Sequence, residues 1–228
     1  MVDRAVIDAI RAELRSRADP VRAPQMQAYM KSAMPYRGVR VPEVRALTRR
    51  IAASHPFEDA SVMRSTVLTL WREAEFREER YAASALTDTP SARRLRSPDL
   101  VPMYREMIIS GAWWDHVDEV SHRIRDLLLE WPDVITPIVR GWAIDDDRWL
   151  RRVAVICQLG AKDRTDRVLL SDAVLANAAD RDFFLRKAIG WALRDYARTD
   201  PAWVRDFVGE HEDALSPLSK REALKHLG

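Results

Sequence analysis

Two segments of the chain set aromatic and charged side chains at spacings that can do chemistry. The first is Gly111-Ala112-Trp113-Trp114-Asp115-His116-Val117-Asp118. On a helix, Trp114 and Asp118 are four residues apart and share a face, one turn from each other. The adjacent indoles of Trp113 and Trp114 point to different faces, so both cannot enter one small core. An indole face is electron-rich, a poor neighbour for a carboxylate and a good one for a cation. Together Trp114 and Asp118 make a site for positive charge. The competing role for Asp118 is structural: capping a neighbouring helix or pairing with an arginine.

The second segment is Arg181-Asp182-Phe183-Phe184-Leu185-Arg186-Lys187-Ala188-Ile189-Gly190-Trp191-Ala192-Leu193-Arg194-Asp195-Tyr196-Ala197-Arg198, with five basic and two acidic groups. Phe184, Ala188 and Trp191 fall on one helical face, with Lys187, Arg194 and Arg198 on or near its edge. Cations for phosphates interleaved with flat rings for bases or sugars suit a nucleic-acid groove. An amphipathic helix with a solvated basic side fits the same pattern.

Other chemistry finds little support. Asp145-Asp146-Asp147 reads as a helix N-terminus, favoured by capping and the helix dipole, with Arg148 and Arg152 four apart behind it. Adjacent helical carboxylates diverge, so the triplet is not a metal site. His55, His116, His122, His211 and His226 lack metal-ligand spacing, and His116 is expected at the surface or satisfied. Cys157 lies in the uncharged run Val153–Ala161 and reads as a core thiol. No serine sits in a nucleophile elbow. Neither a metal nor a cofactor is expected.

The elements that must position these residues are helical. Apolar residues recur at helical spacing: Val6, Ile10 and Leu14; Met26, Tyr29, Met30 and Met34; Val62, Val67, Leu70 and Trp71; Leu127, Leu128, Val134, Ile138 and Val139. Strand-like alternation is scarce. Prolines at Asp19-Pro20, Val41-Pro42, His55-Pro56, Ser97-Pro98, Trp131-Pro132 and Asp200-Pro201 read as helix starts, where the missing N–H costs nothing. Helices of about 10–16 residues result. Trp71, Trp142, Trp149 and Trp203 lie in apolar stripes and read as core.

The 228 residues suffice for one sizeable core or two small ones. Their 47% hydrophobic and 32% charged content excludes disorder, and the longest uncharged run, nine residues, excludes a spanning helix, which needs about 20. Only seven glycines are present and no phosphate-cradling loop, against ATP- or NAD-driven chemistry. The single cysteine and a start without a signal-like pattern predict a bacterial-style cytoplasmic protein, or at least a reducing compartment. Residues 1–50 hold 11 basic and 5 acidic groups, residues 51–144 hold 11 and 15, and residues 145–228 hold 15 of each. Of 37 basic residues five are lysine; arginine suits bidentate phosphate contacts, and a GC-rich genome gives the same excess. So many short helices do not form a simple bundle. Stacked antiparallel pairs fit better: a single-domain α-α superhelix over residues 1–228, whose concave face binds something extended and which needs no partner copy.

At several blocks the chain resembles the AlkD-like DNA alkylation repair glycosylases, a HEAT-like repeat family. The likeness runs through Met26-Gln27-Ala28-Tyr29-Met30-Lys31, Gly38 with Pro42-Glu43, Trp113-Trp114-Asp115-His116-Val117-Asp118, Trp149-Leu150-Arg151-Arg152-Val153-Ala154, Phe183 to Arg194, and Leu218-Ser219-Lys220-Arg221-Glu222-Ala223. The resemblance implies a HEAT-like repeat solenoid with a concave DNA-binding face. It implies a monomeric, cofactor-free N-glycosylase that releases cationic 3-methyladenine and 7-methylguanine from double-stranded DNA without base flipping, in the bacterial cytoplasm or nucleoid. Trp114, Asp118 and Trp191 match the family's catalytic positions. Arg152 matches one that supports the site and the DNA backbone, and Tyr29, Phe183 and Phe184 match groove positions. Arg40 stands where a family member carries a neutral polar residue; as an arginine it is still a candidate DNA contact, with Arg148, Lys187 and Arg194. The alternative is a non-catalytic HEAT-like protein that binds DNA or protein.

Overall fold

The computed structural model describes residues 1–227, and no strand occurs among them. Fourteen α-helices follow one another in the described residues: α1 (Arg4–Ser16), α2 (Arg22–Met30), α3 (Val41–Ser54), α4 (Ala60–Arg72), α5 (Arg77–Leu86), α6 (Pro90–Arg94), α7 (Val101–Gly111), α8 (Trp114–Glu130), α9 (Pro132–Ala143), α10 (Arg148–Ile156), α11 (Arg167–Ala176), α12 (Phe183–Tyr196), α13 (Pro201–Glu210) and α14 (Pro217–Ala223). The protein is all-α, as the apolar periodicity requires. No described helix is long and apolar enough to cross a membrane.

Local chemistry sets the helix starts. The carboxylates of Asp3, Asp59, Asp147, Asp166, Asp182 and Asp200 accept hydrogen bonds from first-turn backbone N–H groups of α1, α4, α10, α11, α12 and α13. Such a cap is typically worth about 1 kcal/mol. Proline opens α3, α9 and α13 as read, and also α6 and α14. The prolines at 20 and 56 instead lie in the loops ahead of α2 and α4. The Met26–Met34 stripe is cut at Lys31, whose φ of 50° ends α2. Met30 is buried, whereas Tyr29 is 78% exposed.

The chain divides into two compact units, Met1–Met103 and Tyr104–Gly228. In the first, α1, α3 and α5 pack side by side, with α4 against α1 and α5. Val6, Ile10, Leu14, Val44, Leu47, Val67 and Leu70 are buried there. Residues 32–40 have no helix, yet the segment is firmly fastened. The fully buried Glu78 carboxylate accepts hydrogen bonds from the backbone N–H groups of Arg37, Gly38 and Val39 at 2.8–3.1 Å. Gly38 has a φ of +87°, and a side chain there would strike the Asp19 carbonyl.

In the second unit, α8, α10 and α12 form one row and α9 and α11 a second row behind it, with α14 against α12 and α13. Alternate helices stacked in two rows are the building pattern of an α-α superhelix. Trp142 and Trp149 are buried here and Trp71 in the first unit; Trp203 is only half-buried, stacked on Phe207 at 5.1 Å. Cys157 is buried, and desolvation pushes its thiol up to about 12, which leaves it an inert core residue. His116 is buried as well, not at the surface.

Candidate active site

The row α8, α10, α12 is joined by one chain of hydrogen bonds. Trp113 is extended and immediately precedes α8, Trp114 opens the helix, and Asp118 follows one turn later. Arg152 reaches from α10 and grips both oxygens of Asp118 with one edge of its guanidinium: Nε to Oδ1 at 2.7 Å and Nη2 to Oδ2 at 2.8 Å. Its remaining nitrogen, Nη1, donates to the Phe184 carbonyl in the first turn of α12 at 2.6 Å. Arg152 is 5% exposed and Asp118 half-buried. The ion pair therefore sits at the junction of three helices.

Two opposing effects act on Asp118. Burial pushes its carboxyl up from the ordinary carboxylate range, and Arg152 pulls it down; burial wins. His122, one turn further along α8, is held below the ordinary histidine value by burial and by Arg125. At neutral pH the site thus presents a paired carboxylate beside a neutral imidazole.

Aromatic side chains fill the junction. Trp113 lies 5.4 Å from Phe184 and 6.2 Å from Trp149, and Phe184 lies 5.1 Å from Trp149. Such tilted and edge-on rings are mutually favourable. Trp114 and Trp191 stay outside this cluster. Both are half-buried, and among the described residues neither indole has a ring partner or a hydrogen bond. The two adjacent indoles have thus parted: Trp113 packs inward and Trp114 keeps an open surface.

The remaining candidates separate into several groups. Arg148 and Arg152 do not share a surface: Arg152 is spent on Asp118, while Arg148 is exposed and pairs with the α12 cap Asp182 at 3.2 Å. Phe184 is a member of the aromatic cluster, while Phe183 is 54% exposed against its edge. Lys187 and Arg194 both bind Glu222 of α14, Lys187 at 3.1 Å. Tyr29 and Arg40 belong to the first unit; both are exposed, Tyr29 in the last turn of α2 and Arg40 just ahead of α3.

Sequence spacing missed four participants. His122 could have been found as the next i,i+4 step after Asp118. Trp113, Glu222 and the Phe184 carbonyl act across helices, and no local spacing encodes such a contact.

Residues 10–227 match the family described as DNA alkylation repair enzyme. A solved structure described as "Predicted DNA alkylation repair enzyme from Enterococcus faecalis" superposes with a TM-score of 0.83 at 29% identity, over 92% of this chain and 97% of that one. A search of the curated proteins found no match. Both the match along the sequence and the shared fold cover nearly the whole chain, and the chain belongs to the DNA alkylation repair enzyme family.

Proposed function

We propose that the protein is a DNA N-glycosylase that hydrolyses the bond between deoxyribose and a cationic N3- or N7-alkylated purine. The observation that carries this reading is the Asp118 carboxylate, fixed through both oxygens by Arg152, one turn from the unpartnered indole of Trp114. Alkylation at N3 or N7 makes the base a cation and a good leaving group. As the C1′–N bond breaks, its electron pair leaves with the base, which becomes neutral, and the sugar becomes oxocarbenium-like. Asp118 faces that developing charge, and water adds at C1′ and gives its proton to solvent, leaving the abasic sugar.

A lone charge pair at 4 Å is worth about 4 kcal/mol at an effective dielectric of 20. The Arg152 charge subtracts from this figure, which is therefore an upper bound. The indoles of Trp114 and Trp191 each add about 0.5–2 kcal/mol through cation–π attraction. The carboxylate dominates, and the rings hold the nucleotide. Arg152 serves as a positioning residue. A carboxylate needed only to neutralise Arg152 has no use for an unpartnered indole one turn away, and the two together support catalysis over the non-catalytic alternative.

Tyr29, Arg40, Phe183 and Arg148 are the exposed candidates for contact with the duplex. The cluster of Trp113, Trp149 and Phe184 occupies the junction with the protein's own rings, which supports recognition of the lesion without flipping the base into a pocket. The decisive experiment incubates the protein with duplex DNA carrying 7-methylguanine and measures the free base. Release with abasic-site formation supports a glycosylase. Tight binding without release returns the protein to the non-catalytic class.

A further inference from the structure

Lys187, Trp191 and Arg194 stand at i, i+4 and i+7 on α12 and so share one side of the helix, and Arg198 follows in the turn just beyond its end. Lys187 and Arg194 therefore flank the half-buried Trp191 indole, and Arg198 stands past the end of the helix. The three cations are not equivalent. Arg198 is exposed, and its side chain has no ion pair among the described residues. Lys187 and Arg194 both close on one carboxylate, Glu222, from α14. Glu222 is drawn below the ordinary carboxylate range by the hydrogen bond from Lys187, and stays charged.

The helices are built for this closure. Gly190 lies between Lys187 and Arg194 on α12, and a side chain there would collide with the Glu222 Cβ and the Ser219 carbonyl. The Ser219 hydroxyl also donates to the Arg186 carbonyl at 3.0 Å. Packing against a glycine brings α14 close enough for one acidic side chain to span two cations a full two turns apart.

We propose that Glu222 is a specificity residue: an internal stand-in for a DNA phosphate that occupies Lys187 and Arg194 and holds down affinity for undamaged DNA. This deepens the glycosylase reading and rests on it, since it takes the α12 face beside Trp191 as the side that meets the duplex. A repair enzyme must sample a vast excess of normal sites, and non-specific affinity is set by phosphate contacts that release counterions. A carboxylate at hydrogen-bond distance from both cations offsets their charge and competes with a phosphate for their donors. Lys187 remains 39% exposed, so exchange of partner needs no unfolding.

The test is a salt titration of binding to undamaged duplex DNA. Glu222→Gln should bind about tenfold tighter at about 0.1 M salt and steepen the log-affinity versus log-salt slope by about one. In a Lys187→Gln, Arg194→Gln background the same substitution should change neither. Unchanged affinity and slope in a Glu222→Gln protein that melts like wild type would overturn the proposal. So would an equal gain in the double background. Should Glu222→Gln fail to fold, Glu222→Asp, which retracts the carboxylate by one methylene, should tighten binding about threefold; binding equal to wild type sinks the idea. Release of 7-methylguanine by the same wild-type preparation is scored separately. No release defeats the glycosylase reading, while the slope still decides the role of Glu222.

Discussion

Arg152 holds both oxygens of Asp118 while giving its third nitrogen to the Phe184 carbonyl, so one guanidinium ties three helices to one carboxylate. Asp118→Asn should lower single-turnover release of 7-methylguanine by on the order of a hundredfold or more. It also strips the buried guanidinium of its counter-charge, at a cost of about 3 kcal/mol, or roughly 6–12 °C in Tm. Combining Asp118→Asn with Arg152→Met should restore most of the Tm and none of the activity. Release within threefold of wild type in Asp118→Asn would remove Asp118 from the chemistry.

Arg152→Ala tests the same pair from the other side. A phosphate contact would give a slope smaller by about one in a salt titration of DNA affinity. The buried geometry predicts instead an unchanged slope, slower excision and a lower Tm.

The pH dependence follows from the sign of the Asp118 shift. Burial raises its carboxyl above the ordinary value of about 3.9, so protonation and loss of activity begin at a higher pH than for an exposed aspartate. The acid limb of the rate profile should therefore lie above pH 4. Arg152→Met removes the opposing pull and should move that limb further up. A profile flat down to pH 4 would show that the reaction does not use the charge.

Lesion choice follows from a carboxylate, two indoles and, in His122, an imidazole that burial keeps neutral at pH 7. Under excess enzyme, oligonucleotides carrying 3-methyladenine or 7-methylguanine should yield abasic sites. Those carrying uracil, hypoxanthine or 1,N6-ethenoadenine should not, because a neutral base leaves only with acid assistance. His122, held below the ordinary histidine value, cannot supply that acid at pH 7. Efficient uracil release would contradict the charge-based account.

Gly190→Ala should destabilise the protein even though alanine is the better helix former. The helical gain of about 1 kcal/mol is outweighed by overpacking against α14 at about 1–3 kcal/mol. Calorimetry should show a lower Tm. An increase would mean that α14 can retreat freely.

Glu78→Gln tests the first unit. Its carboxylate holds three backbone N–H groups, and one amide oxygen cannot replace both of its oxygens. A loss of about 1.5–3 kcal/mol is expected in denaturant titration. DNA affinity should fall by the same factor as in Arg40→Ala, with little further loss in the double variant. Strictly additive losses would separate Glu78 from the DNA-binding role of Arg40.

Much of this was legible in the chain. The helices announced themselves through apolar spacing, aspartates and prolines, and the Trp114–Asp118 step placed the carboxylate on its helix. The structural alternative for Asp118, an arginine partner, is present too, and the catalytic reading makes use of it. What stayed hidden lies between helices. Nothing local says that Arg152 turns inward while Arg148, one turn away, turns out. The paired fate of Lys187 and Arg194 depends on Glu222, 28 residues beyond Arg194. Tyr29 looked like part of a continuing stripe because its helix ends at Lys31, a residue with no intrinsic preference for the left-handed backbone it adopts.

The hydrogen-bonded chain from Asp118 through Arg152 to the Phe184 carbonyl spans successive layers of the stack. Each layer contacts mainly its neighbours, and such arrays loosen interface by interface before they melt as a whole. The carboxylate thus works as a strain gauge for the spacing of α8, α10 and α12. Longer loops at the rim leave that spacing alone, whereas a slip of one layer breaks the grip on Asp118. Heat or denaturant should silence the enzyme while most of its helices are still intact.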